Sequence, residues 1–342
     1  MPLSVETPPG SMSVVPSEEG VTAAILSFNR PQTLDHVLSV LHELPLEEVI
    51  VVDTSHGDDC LQVGRTHGAR VIALDDIGVA ARNVSVREAR TELVMLLDDD
   101  SYPLPGTTER LRAAFEERPR LGVVGGYVHQ PLAEGESDGM VHAFDWFLDG
   151  RDAGMRSGAP AVFFPEGACM VRRSAFLEVG GFFAPGFLTV TELDLATRLI
   201  GCGWDVRYVR DARFHHLVSQ EGRTPSPRSH RYKVRNEIWY FWLRFPRGLA
   251  VRRILAYLAF DLIEALYRGF PGAWLGGVAD AWRQRDSIAG HRAPLPRAAL
   301  RRAEMDRGRR HLRLLALVAR VWLRRRLRGK NLRMAATERY GR

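Results

Sequence analysis

The chain has 342 residues, 45% hydrophobic and 26% charged, which leaves ample material for a full core and argues against a fibrous or wholly disordered protein. Its formal charge is +6, but lysine occurs only at Lys233 and Lys330, so arginine supplies nearly all the positive charge, most densely from Arg283 to Arg342. The longest apolar run, Ile254 to Leu266, is broken by Asp261 and Glu264 and is too short to span a bilayer. Cys60, Cys169 and Cys202 are scattered without metal-ligand spacing and read as reduced thiols.

In chain order, residues 1–19 are rich in Pro, Ser and Glu and lack the basic start and apolar stretch of a signal peptide, so a disordered leader is expected. VTAAILSF, from Val21, reads as a buried strand, and PQTLDHVLSVLHEL as an amphipathic helix with Pro31 in its first turn. EEVIVVD is a strand, CLQVGRTHG a short helix, ARVIALD a strand, IGVAARNVSVREAR a helix and ELVMLLDDD a strand. This alternation predicts an α/β fold, a Rossmann-like, mostly parallel sheet flanked by helices. LGVVGGYVHQ follows as a strand, 131–158 as a variable loop, and PAVFFPEGACMVRRSAFLEVGG as strands leading into a helix. TELDLATRLIGCG fits a helix ended by Gly201 or Gly203, and WDVRYVRDARFHH a strand.

After Pro225 the composition changes. RSHRYKVRNEIWYFWLRFP is rich in aromatics and arginine, and helical segments continue to about Gly290. Residues 292–296 read as a linker before a basic helix over about 298–328, with Leu312, Leu315, Val318, Ala319 and Trp322 on one face. The expected division is a leader over 1–19, the α/β domain over 20–225, a helical extension over 226–291, and a linker with a basic C-terminal helix over 292–342.

Candidate chemistry lies at the strand ends. Asp98, Asp99 and Asp100 close an apolar strand, where open α/β sheets bind ligands. Three carboxylates together call for a cationic counterpart, and a divalent ion carrying phosphates supplies one. Asp53 ends the second strand, fitting either a ribose or base contact or a helix cap. Ser27 and Asn29 end the first strand and fit base-edge contacts or a turn equally well. Arg82, next to Asn83, is a candidate phosphate partner. Glu192 and Asp194 begin a helix, where one carboxylate could take a proton from an attacking hydroxyl. His215 and His216 end a strand, and one imidazole could complete a metal shell.

In this order the elements resemble glycosyltransferase family 2, over roughly Val21 to Pro246. ILSFNRPQTL is similar to its opening strand and helix, VIVVDTS to its second strand, GVAARN to its Arg-Asn segment and LLDDDSYP to its DxD element. TELDLATRL resembles its acidic ED-x-D-L-x-x-R-L element, with Thr191 and Glu192 where Glu and Asp are usual. The resemblance implies a GT-A fold with a C-terminal helical extension and an inverting, metal-dependent transfer from a nucleoside-diphosphate sugar to an acceptor hydroxyl. It carries over Glu192 as general base with Asp194 as second acid. Ser27, Asn29, Asp53, Arg82, Asn83, Asp98 and Asp99 fall at the donor, and Asp98, Asp100 and His215 at Mn2+ or Mg2+. EGACMVRRSAFLEVGGF is similar to the strand and helix on the acceptor side.

The implied acceptor is lipid-linked, a glycan or a small molecule, and nucleic acid is not an expected partner. RYKVRNEIWYFW resembles a segment of members whose C-terminal helices pack at the membrane. Trp239, Trp242 and Phe245, beside Arg235, Arg244 and Arg247, are therefore expected at an anionic headgroup boundary. A cytoplasmic protein, peripheral on the inner face of the plasma membrane, is the corresponding expectation. One alternative, a nucleotidyltransferase, would carry a Gly-rich basic loop after the first strand, which SFNRPQT is not. The other, a non-catalytic membrane or nucleic-acid binder using the arginine-rich end, leaves the ordered acids without a purpose.

Overall fold

The computed structural model describes residues 17–129, 158–217 and 226–304. Of the expected leader over 1–19, residues 17–19 instead begin the first strand, paired at Ser17 with Thr91; its remainder, nearly all of the expected 131–158 loop and the basic helix beyond 304 lie outside the described residues. The α/β part runs β1 (Ser17–Ser27), α1 (Pro31–Leu41), β2 (Glu48–Asp53), α2 (Asp59–Thr66), β3 (Arg70–Ala73), α3 (Arg82–Glu88) and β4 (Thr91–Asp98). It continues with β5 (Ser101–Pro103), α4 (Thr107–Glu116), β6 (Leu121–His129), β7 (Ala159–Pro160), β8 (Ala168–Arg172), α5 (Arg173–Glu178), α6 (Thr191–Gly201) and β9 (Asp205–His216).

The strands form one sheet in the order β3-β2-β1-β4-β8-β6-β9-β5, with β7 on β9. The pairs β2–β3, β1–β2 and β1–β4 are parallel, as the strand–helix alternation requires, and β6–β9 is parallel as well. The departures are β8, antiparallel to both β4 and β6, and the short β5, antiparallel to β9. Successive strand side chains point to opposite faces, so Ala24, Val94 and Leu96 pack into one core while Ile25, Met95 and Leu97 pack into another across the sheet. Helices cover both faces, which is why β4 carries the unbroken apolar run 93–97 rather than apolar residues at alternate positions.

The extension comprises α7 (Pro227–Arg244), α8 (Arg247–Arg268), α9 (Pro271–Arg283) and α10 (Arg297–Glu304). Ser226 caps α7 through a reciprocal box with Ser229, and Pro227 occupies its first turn. Two of the aromatics expected at a headgroup boundary are interior instead. Phe245 packs with Tyr240, Phe241 and Leu300, and Trp239 with Leu243, Ala281 and Ile288; only Trp242 is exposed. Rings of this size gain more by closing the space between α7 and its neighbours than they would at a wet surface. Residues 292–296 run back along α7, with Ala293 and Leu295 donating to the carbonyls of Leu243 and Arg244. Asp261, which interrupts the apolar run of α8, is buried and receives Lys233 Nζ at 2.9 Å; Glu264 receives the same ammonium at 2.6 Å. Among the described residues, no helix is long and apolar enough to cross a membrane.

Candidate functional site

The three carboxylates at the end of β4 face different partners. Asp98 is ion-paired with Nη2 of Arg82, a residue 2% exposed whose Nη1 also donates to the Leu97 carbonyl at 2.7 Å. Asp99 accepts from the Phe28 backbone N–H at 3.0 Å and from Arg30 Nη1 at 3.2 Å. Asp100 takes the same Arg30 nitrogen at 2.6 Å and lies 3.1 Å from His216 Nε2. Burial pushes the Asp99 carboxyl up to about 7, with the charges of Asp100 and Asp98 adding to the rise and the Phe28 N–H and Arg30 opposing it.

Asp98, Asp100 and His216 each offer a ligand atom, all within 4.8 Å of one another. Two carboxylate oxygens and an imidazole nitrogen, gathered at a strand end, are a donor set that fits Mn2+ or Mg2+. The expected histidine was His215, and the structure places His216 there instead. Adjacent residues of β9 face opposite ways; His216 pairs with Ser101 beside Asp100, while His215 pairs with Tyr102 and stacks on its ring at 5.1 Å.

Ser27 and Asp53 end neighbouring strands in direct register, and both are buried. Asp53 Oδ1 accepts from the backbone and hydroxyl of Ser55, at 3.2 and 2.5 Å. Asn29, at a left-handed φ of 55°, accepts from the His56 N–H through its side chain at 3.1 Å and donates its backbone N–H to Ser55 Oγ at 2.7 Å. These groups gather at adjoining strand ends, with Asp99 tied to the same turn through the Phe28 N–H. Asn83 does not join them: Phe182 uses both ends of its amide, at 2.9 and 2.7 Å.

Glu192 lies in the first turn of α6 and accepts from the Thr191 hydroxyl at 3.1 Å. Burial raises its pKa, the charge of Asp98 adds to the rise, and Arg82 opposes it. The turn before α6 is strained, with Thr189 and Val190 at φ 64° and 63°. It is held from the extension: Asn236 Nδ2 donates to the carbonyls of Gly186, Leu188 and Thr189, and Arg235 Nη2 to those of Pro185 and Gly186. From the other side, the Val79 N–H donates to the Phe187 carbonyl at 2.9 Å, and a Cβ on Gly78 would stand 2.2 Å from that oxygen. Asp194 points away, bound by Arg198 Nε at 2.8 Å and Arg244 Nε at 2.6 Å, and the charges of Arg198 and Arg244 outweigh its burial to lower its pKa.

Arg30, Glu166 and the Arg235–Asn236 clamp were not singled out in the sequence as site residues. Arg30 follows directly on Ser27 and Asn29, and that adjacency was the available signal.

This sheet, with Asp98 and Asp100 beside His216 at its strand ends, belongs to the GT-A class of folds. The structure aligns with GalNAc-T7 bound to UDP, GalNAc and Mn2+ at a TM-score of 0.55 and 14% identity, over 80% of this chain and 58% of that one. It aligns with the mannosyltransferase PcManGT from Pyrobaculum calidifontis, in complex with GDP-Man and Mn2+, at a TM-score of 0.52 and 15% identity, over 80% and 90% of the two chains. Residues 22–180 match the model of glycosyl transferase family 2, and the chain carries a domain of that family. The N-acetylglucosaminyl-diphospho-decaprenol L-rhamnosyltransferase of Mycobacterium tuberculosis is 27% identical over 201 residues, a match spanning 51% of this chain and 65% of that relative.

Proposed function

We propose that this chain is an inverting, metal-dependent glycosyltransferase that moves a sugar from a nucleoside-diphosphate sugar to an acceptor hydroxyl. The observation that carries the reading is the Asp98, Asp100 and His216 group at the end of β4, with Glu192 near enough for Asp98 to raise its pKa. Asp98, Asp100 and His216 would hold Mn2+ or Mg2+, which supplies positive charge against the diphosphate as it leaves. Ser27, Asn29 and Asp53 receive the base and ribose, with Asp99 beside them. Arg82 fixes the orientation of Asp98, and Arg30 balances Asp99 and Asp100 before ligands arrive.

Glu192 takes the proton of the acceptor hydroxyl as that oxygen bonds to the anomeric carbon. The anomeric bond to the diphosphate breaks on the opposite side, and its electron pair leaves with the diphosphate. A carboxylate whose pKa is raised by burial is a stronger base for this step. Asp194, committed to Arg198 and Arg244, anchors α6 to α7 and positions Glu192. Asn83 braces the turn at Phe182.

The acceptor in the mycobacterial relative's name, N-acetylglucosaminyl-diphospho-decaprenol, supports a lipid-linked acceptor here. A second observation fits that reading. Along α8, Val251, Leu255, Ile263 and Leu266 are 47–63% exposed, and Leu275 and Trp282 of α9 are exposed as well. Arg247, Arg252, Arg268 and Arg283 are exposed on the same two helices. An apolar stripe edged by arginines suits an anionic membrane surface.

The deciding experiment incubates the protein with Mn2+ and UDP-N-acetylglucosamine, GDP-mannose or dTDP-rhamnose, with and without polyprenyl-diphosphate-sugar acceptors. Metal-dependent release of the nucleoside diphosphate together with a glycosylated acceptor is expected. Failure to bind or turn over any sugar nucleotide would overturn the assignment.

A further inference from the structure

The reversal of β8 brings one more carboxylate to the reacting centre. Because β8 runs antiparallel to β4, its first residue, Ala168, lies opposite Leu97, and the chain entering β8 meets the end of β4 that bears Asp98. Gly167 is pressed against that carboxylate: a Cβ there would stand 2.0 Å from Asp98 Oδ2. The contact is pinned by Ser101, whose hydroxyl accepts from the Asp98 N–H at 3.0 Å and donates to the Gly167 carbonyl at 2.6 Å. Glu166, the next residue back, is therefore set between Asp98 and the start of α6.

The Thr191 hydroxyl, which donates to Glu192, also lies within hydrogen-bonding reach of the Glu166 carboxyl. Glu166 Oε2 is shielded from solvent and has no hydrogen-bond donor among the described residues. Arg82 Nε, in the buried guanidinium that holds Asp98, is likewise without an acceptor. Shielded polar atoms of this kind are costly unless a partner arrives with the ligand.

We propose that Glu166 is a further substrate-binding residue, its Oε2 accepting a hydrogen bond from a hydroxyl of the sugar being transferred. The inference rests on the glycosyl-transfer reading above. In that reaction the anomeric carbon lies between the diphosphate, held at Asp98, and the acceptor oxygen, deprotonated by Glu192. The sugar ring attached to that carbon occupies the space both residues border, and Glu166 borders it too. Burial raises the Glu166 pKa, with the charges of Glu192 and Asp98 adding to the rise and Arg82 opposing it; in either protonation state its carboxyl keeps an acceptor oxygen for a sugar hydroxyl. Glu166 is distinct from the base: it takes no proton from the acceptor, and it orients the ring for in-line attack.

The test compares the full chain with Glu166→Ala and Glu166→Gln by calorimetric titration in Mn2+. The probes are UDP, GDP and dTDP alone, and then UDP-N-acetylglucosamine, GDP-mannose and dTDP-rhamnose. For whichever sugar nucleotide the parent protein binds, Glu166→Ala should weaken binding by about five- to tenfold, since a hydrogen bond in a shielded site is lost. The matching nucleoside diphosphate should change by less than about twofold, as expected when only the sugar contact is removed. Glu166→Gln, which keeps one acceptor oxygen and the side-chain shape, should fall between. Equal weakening of both probes, or an unchanged sugar-nucleotide affinity, would overturn the proposal while leaving glycosyl transfer standing. A parent protein that binds none of the sugar nucleotides would instead overturn the reading on which it rests.

Discussion

The side-chain amide of Asn236, on the helical extension, donates to the Leu188 carbonyl at 2.6 Å, four residues before Glu192. The same nitrogen reaches the carbonyls of Gly186 and Thr189, so one residue of α7 satisfies much of a turn whose Thr189 and Val190 have left-handed backbones. A β-branched residue in that region costs on the order of 1–3 kcal/mol and persists only where its surroundings enforce it. The extension thus reaches into the site and sets where α6 begins, and with it the position of Glu192.

Asn236→Ala should therefore act on turnover more than on donor binding. Releasing the turn misplaces Glu192, and a misplacement of about 1 Å can cost on the order of 10²-fold in rate. Steady-state kinetics should show kcat falling by about tenfold or more with donor KM little changed. A variant with normal kcat would detach the clamp from the reaction.

Glu192→Gln keeps the shape of the side chain and removes its basicity. Loss of a general base costs typically about 10²–10⁴ in rate. Single-turnover measurements at saturating donor should show that loss with donor affinity retained. A loss below about tenfold, small against that range, would mean that another group takes the acceptor proton.

The two neighbouring histidines separate a metal ligand from a ring in a stack. His216→Ala and Asp100→Ala should each abolish transfer and weaken Mn2+ binding measured by calorimetry or electron paramagnetic resonance, and EDTA should do the same to the parent protein. His215→Ala removes a ring stacked on Tyr102 and should leave Mn2+ affinity unchanged. The reverse pattern would move the metal shell to the other face of β9.

Asp99 makes the metal-free protein sensitive to pH. Its carboxyl ionises at about 7 in the fold, well above the ordinary aspartate range, so the folded state holds a proton that the unfolded chain has already released. The corresponding stability is fully present below about pH 4 and lost as pH rises through about 7, at most on the order of 4 kcal/mol. Thermal melts in EDTA should show Tm declining across that window, and Asp99→Asn should flatten the decline. A Tm that rises through the same window in the parent and is untouched by Asp99→Asn would contradict it.

The proposed membrane contact, on the exposed apolar stripe of α8, is directly testable. Sedimentation with vesicles containing phosphatidylglycerol should pull down the full chain, less so with neutral phosphatidylcholine vesicles or at high salt. Leu255→Glu combined with Leu266→Glu should reduce that binding and leave hydrolysis of a soluble sugar nucleotide unchanged. Unaltered sedimentation of the double variant would place the contact elsewhere.

The first half of the sheet was legible in the sequence because its elements are local and repetitive. A buried strand followed by an amphipathic helix, repeated from Val21 to Asp98, leaves little choice but parallel pairing, and it brings Ser27, Asp53 and Asp98 to one edge. The three aspartates, by their mutual repulsion, called for a cationic counterpart. The direction of β8, the strand face of His216 and the partners of Asp194 were not legible, because each depends on contacts between residues distant in the chain. Antiparallel pairing of β8 with β4 places Glu166 beside Asp98 across 68 positions of sequence. The choice between His215 and His216 turns on a register of one residue, which reverses every side chain of a strand. Asp194, which looked like a reacting acid beside Glu192, is claimed by Arg244 from a helix fifty residues on. Periodicity encodes local structure and which faces are buried; which buried charge meets which other is decided only when the elements pack, since each ion must then find a partner or remain in water.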